Sequence, residues 1–149
     1  MTQAYTNRFT EVCYPLGVIY PETAAIGTHT YGYINTANYQ RGVILILVGD
    51  MAAGATLDVQ VWQATDAAGT GAKIVTGKAI TQLDQGAGDG QDLLAIEARS
   101  EELDVDGGFS FVSVVVTIAG NTVDLAVLGL GTVANYPPVP VTGWTEIVD

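Results

Sequence analysis

The chain holds one histidine, His29, and one cysteine, Cys13. A nucleophile needs a base within hydrogen-bond reach and a third group that orients the base. A Ser-His-Asp arrangement would therefore have to use His29, with Ser100, Ser110 or Ser113 as nucleophile. None of those serines stands in a G-x-S-x-G elbow. Cys13 lies between Val12 and Tyr14 with no local pattern that pairs it with His29, and reads as a small packed residue. No catalytic residue is expected.

Metal chemistry is limited by ligand count. One Cys and one His cannot close a typical zinc site. Calcium would need several oxygens from one loop. Two acidic turns come nearest, one with Asp89 and Asp92, the other with Glu101, Glu102, Asp104 and Asp106. Neither follows the D-x-[DN]-x-[DN]-G-x₅-E pattern, and acids in turns commonly cap backbone groups or face solvent. The glycine-rich stretches fail as phosphate loops for similar reasons. Residues 69–73 lack the full G-x-x-x-x-G-K-[ST] sequence, and residues 86–90 place acid where a phosphate would sit. No cofactor and no metal ligand is expected.

Aromatic residues are the remaining candidates, and they suit binding. Trp62 falls on the outward face of an alternating strand, residues 57–63. It could form an exposed aromatic surface for a sugar or a subunit, or cover a second layer of the fold. Both ends of the chain combine aromatics with proline: Tyr5, Tyr14 and Tyr20 with Pro15 and Pro21, then Tyr136, Pro137, Pro138, Pro140 and Trp144. Proline at this density favours an extended path outside a sheet. Such segments can clasp a neighbouring subunit or pack on their own domain, with Tyr5, Tyr14, Tyr20, Tyr136, Pro137, Pro138 and Trp144 as the contacts.

The elements between the ends read as strands. Helical periodicity is almost absent, and short apolar or alternating runs recur between Gly, Asn and Asp. Residues 28–35 alternate. Residues 43–48 form a continuous apolar run, as in a strand buried on both sides. Short strands follow at 73–75, 79–83 and 93–98, although residues 92–103 could also form a helix. Residues 109–118 and 123–130 are expected to form a hairpin across Gly120 and Asn121, residues that accept positive φ. About eight strands at this spacing predict an all-β jelly-roll-like or Greek-key sandwich or barrel. It would span residues 24–134, with an N-terminal arm at 1–23 and a Pro-rich C-terminal arm at 135–149.

Composition sets the limits around this frame. The 149 residues suit one domain large enough to fold without disulfides or metal. Hydrophobic residues make up 48% and charged residues only 14%, against roughly 25% in ordinary domains. Part of the surface is then expected to be covered by other subunits. Sixteen acids and five bases give a net charge of −11. Arg8, Arg41, Lys73, Lys78 and Arg99 form no basic stripe, so nucleic acid is not an expected partner. An acidic domain has little attraction to an anionic membrane. The excess acid either keeps an apolar chain in solution or docks on a basic partner. No signal peptide is recognisable at the N-terminus, and the apolar runs are too short or Gly-broken for a membrane helix, so synthesis in the cytoplasm is expected.

One resemblance adds to this reading. Residues 33–41, an Asn-Tyr segment, lead into the apolar run 43–48. Residues 61–73 then end a strand in a Gln-Ala-Thr-Asp turn with a glycine-rich tip. This arrangement, about the middle third of the chain, resembles a group of small virion proteins of tailed bacteriophages. The resemblance implies capsid decoration, or cementing: a non-catalytic homo-oligomer, with a trimer favoured, that binds the major capsid protein on the outside of the virion after synthesis in the host cytoplasm. Alternatives are a head–tail connector or tail component and, from the aromatics, a carbohydrate-binding sandwich.

Overall fold

A computed structural model describes residues 9–134 together with residues 145 and 146. One turn of helix, α1 (Phe9–Val12), is followed by β1 (Cys13–Ala24), β2 (Gly27–Thr30), β3 (Ile34–Asn35), β4 (Tyr39–Met51) and β5 (Thr56–Ala64). Then come β6 (Lys73–Ala79), β7 (Leu83–Asp84), β8 (Leu93–Arg99), β9 (Phe111–Ala119) and β10 (Val123–Ala134). All pairings are antiparallel. One sheet has the order β1-β10-β4-β8, and the other has the order β2-β9-β5-β6. β3 extends the β2 edge along β9, and β7 extends the β6 edge along β5.

Counting each of those split edges as one strand gives eight positions. Their orders, 1-8-3-6 and 2-7-4-5, are those of a jelly roll, in which the chain repeatedly changes sheet. The expected all-β sandwich is therefore present. Period-2 alternation builds its core. Ile44, Ile46 and Val48 of β4, with Val123, Leu125 and Val127 of β10, face Leu57, Val59 and Val61 of β5 and Val114, Val116 and Ile118 of β9. Burying each such side chain contributes about 1.5–3 kcal/mol, so the two layers hold each other mainly by apolar contact.

Two expectations change, and the expected strand at 93–98 is present where a helix was the alternative. β9 and β10 are not a hairpin: β9 lies between β2 and β5, whereas β10 lies between β1 and β4 in the opposite sheet. The Gly120-Asn121 turn is an arch between layers, because both valine-rich strands are central and each needs two neighbours. Residues 93–99 are strand. Their pairing with β4 buries Leu94, Ile96 and Ala98 in alternation, and this overrides the helix propensity of Glu and Ala. Residues 13–23, expected within an N-terminal arm, belong to β1 and pair with β10 along the edge of the sheet. Pro15 and Pro21 sit at or inside bulges of that edge strand, where a missing N–H is tolerated. The C-terminal arm at 135–149 lies outside the described residues apart from positions 145 and 146.

Candidate assembly surface

The reactive side chains do not converge. His29 on β2 is half-buried, its Nε2 lies 2.8 Å from the Ala25 carbonyl, and its ring stacks on Tyr31. Ser113 is buried, and its hydroxyl donates to the carbonyls of Tyr31 and Val114. Cys13 is buried opposite Thr132, and burial pushes its thiol up. Tyr31 is also raised, first by burial and then by the bond from its hydroxyl to Glu22.

The acidic loops hold their own backbone. Asp84 accepts from the Gly86 N–H, Asp89 from the Asp84 N–H, and Asp92 from the Gly90 N–H. Asp104 pairs with Lys73 at 2.5 Å and accepts from the Gly107 N–H. Glu102 pairs with Lys78 at 2.8 Å. Asp66 turns the β5–β6 hairpin loop by accepting from the Ala68 and Thr70 N–H groups. Among the described residues no group of three or more His, Cys, Asp or Glu could hold a metal ion.

These bonds depress three carboxyls below their usual range. Thr70 acts first on Asp66, Lys73 first on Asp104, and Lys78 first on Glu102. A depressed folded-state pKa adds stability above the unfolded carboxylate range, about pH 4, and that stability is lost as pH falls through the lower folded value. The unfolding midpoint of the Asp66→Asn, Asp104→Asn double variant is therefore expected to fall less between pH 5 and 2 (a window of roughly the carboxylate range) than that of the parent. Calorimetry across that range checks this, and parallel curves would remove both residues from the acid response.

Trp62 lies on the outer face of the β5 sheet, half-buried, with its indole N–H donated to Gln60 Oε1 at 3.1 Å. Its direct cross-strand partners are Ile74 and Ser113, and the face around them is mostly polar, with Thr28, Thr30, Thr56, Asp58, Gln60 and Thr117 beside Val115. Tyr14, expected as an arm contact, is instead buried in the domain, its ring 5.8 Å from that of Tyr39. Tyr20 is exposed, in the β1 bulge between Ile19 and Glu22. Tyr5, Tyr136, Pro137, Pro138 and Trp144 lie outside the described residues.

The outer face of the β4 sheet is different in kind. Register places Val18, Leu128, Leu45 and Ala95 in one row across its four strands. The next rows hold Ala126, Leu47 and Leu93 on one side, and Pro15, the buried Leu130, Val43 and Glu97 on the other. Residues 43–48, expected to be buried on both sides, are buried only through Ile44, Ile46 and Val48. Leu47 is 48% exposed, as is Val18, and Leu93 is 70% exposed. An apolar run shows that both faces are apolar but not what covers each face. The face has charged ends. Arg41 and Arg99 stand directly opposite each other at one end, and Asp124 and Asp50 at the other. Sequence reading did not single out Leu45, Leu47, Leu93 or Leu128. The signal that could have found them is the apolar residue at both parities of β4 and β8.

No model of a known protein family matches the chain, and no curated protein matches it.

Proposed function

We propose that this chain is a non-catalytic structural protein that assembles with copies of itself through the outer face of the β4 sheet. The assembled form, on the resemblance to small tailed-phage virion proteins, coats a capsid from outside by binding its major capsid protein. The observation that carries the reading is the contrast between the two outer faces. One is mostly Thr, Asp and Gln around Trp62, Ile74 and Val115, and the other is a four-strand surface with apolar residues in every row. A large exposed apolar patch rimmed by charge is the usual mark of a protein interface.

The partner that fits this face is a second copy. Two copies related by an axis that lies in the interface and crosses the strands stack with their strands reversed. Arg41 and Arg99 of each then face Asp124 and Asp50 of the other. From strand spacing and rise, the face covers ~550 Å², so two copies bury ~1,100 Å², at the lower edge of stable interfaces. Association is therefore concentration-dependent, and a repetitive shell would strengthen it through effective concentration. Binding only the assembled shell stabilises that shell by mass action.

Light scattering of the full chain over a range of concentration tests the reading. A mass that rises to an even number of copies supports the face-to-face contact. Three copies would favour the trimer implied by the resemblance, built through another surface. A strict monomer at high concentration would sink self-assembly. Deleting residues 135–149 is expected to weaken shell binding and assembly if those residues clasp a neighbour, and unchanged binding in a sedimentation assay would remove them from the contact.

A further inference from the structure

We infer that the jelly roll has a second site, an apolar pocket between its sheets that takes a neutral hydrophobic molecule of one or two rings. The pocket lies where β10 ends, encloses about 220 Å³, and is walled by Leu16, Ile34, Tyr39, Ile44, Leu103 and Val112. Its floor is made of absent side chains. Gly17 pairs with Gly129, Gly129 with Ile44, and Gly42 with Ala98, all on the inward face of the β4 sheet. A bulge between Pro15 and Gly17 brings Leu16 alongside them.

Packing alone does not require glycine at positions 42 and 129, whereas at Gly17 a Cβ would run into the Ile34 side chain that walls the pocket. A Cβ at Gly42 would come no nearer than 3.6 Å to any neighbour, and one at Gly129 likewise no nearer than 3.6 Å, which is ordinary contact. Alanine would fit at either position and would strengthen the strand, since glycine inside a strand costs conformational entropy and commonly marks the approach of a ligand. Natural cores rarely keep voids larger than a water molecule. For scale, an apolar cavity of about 150 Å³ engineered into another protein stays dry and binds benzene.

The lining also sets the chemistry of the guest. Three of the polar groups nearby are bonded within the protein. Ser113 donates to Tyr31 and Val114, Thr36 to the Ser110 carbonyl, and Tyr31 to Glu22. Among the described lining residues no side chain is a carboxylate or carboxamide, so a charged guest inside would lose its hydration without compensation. By the alternation of β4 and β8, Arg41 and Arg99 at the rim belong to the outer face.

The test titrates toluene, naphthalene and benzoate into the isotope-labelled full chain and follows backbone amide shifts. Toluene and naphthalene are expected to shift the amides of residues 42, 44, 112 and 129 in a saturable way, with benzoate at least ten times weaker. Gly42→Val is expected to keep the fold by circular dichroism and to weaken toluene at least tenfold. If that variant does not fold, Ala98→Leu, which fills the same floor from β8, takes its place. The inference is overturned if the full chain shows no saturable shift, if benzoate binds as well as toluene, or if a folded filled variant binds unchanged. It is overturned equally if binding appears only in a chain ending at residue 134, since the remaining residues would then be what fills the pocket.

Discussion

Exchanging Leu47 for aspartate is expected to convert the assembled protein into folded monomers. Leu47 sits one row from the middle of the apolar face, opposite Leu93 on β8 and Ala126 on β10, and is about half exposed in the single chain. The fold therefore loses little, because the new carboxylate still reaches water. The interface loses much more. A carboxylate pressed against the row of Val43 and Leu130 of a second copy must give up its hydration with no partner, and a two-fold contact contains the change twice. A loss of roughly 100- to 1000-fold in association follows from ordinary central-contact magnitudes. Thr117→Asp on the polar outer face is the control for added charge as such. Light scattering at matched concentrations reads both. Retained mass in Leu47→Asp would remove the face from the assembly, and dissociation of both variants would assign the effect to net charge.

The reversed stacking makes a finer version of the same test. Arg41→Glu should weaken association, and Asp124→Arg added to it should recover most of the loss, since each change reverses one end of the contact. A stack with strands aligned would not show that recovery, because it sets like ends together.

The two faces of the β4 sheet explain what was legible beforehand. Alternation in residues 57–63 identified the inward set Leu57, Val59 and Val61 correctly, because polar Asp58 and Gln60 mark the other side. Residues 43–48 carry no such mark, so the run gave the strand but not the state of its second face. Strand pairing was less legible than strand presence. Gly120 and Asn121 were recognised as a turn that takes positive φ, yet a tight turn can close a hairpin or join two layers, and only long-range partners decide between them. Those partners, β5 for β9 and β4 for β10, are about sixty and eighty residues away in sequence. The same limit hid the pocket. Gly17, Gly42 and Gly129 are unremarked singly among 18 glycines. They form a floor only once register sets their strands side by side.

The arch between layers carries the largest stability effect expected of a single methyl group. Gly120 has φ +76°, and a Cβ built there would lie 1.9 Å from the Gly54 carbonyl oxygen. The contact is backbone against backbone, and neither side can swing away as a flexible side chain would. Both turns are tied on every side. Asn121 Nδ2 donates to the Ala53 carbonyl, the Ala52 N–H to the Thr122 carbonyl, and the Gly54 N–H to Gln85 Oε1. Separating the turns to admit a methyl would break these bonds at the end of the sandwich where β4, β5, β9 and β10 meet. Gly120→Ala is therefore expected to cost about 2–4 kcal/mol, combining left-handed backbone strain with overpacking. For a chain of this size that lowers the unfolding midpoint by roughly 4–16 °C. Gly77 separates the two causes, because it has the same φ of +76° with nothing within 4 Å of its missing Cβ. Gly77→Ala should show the backbone strain alone, about 1 kcal/mol. Thermal unfolding of the two variants side by side measures the difference, and equal midpoints would mean that the arch does not press on the 52–55 turn.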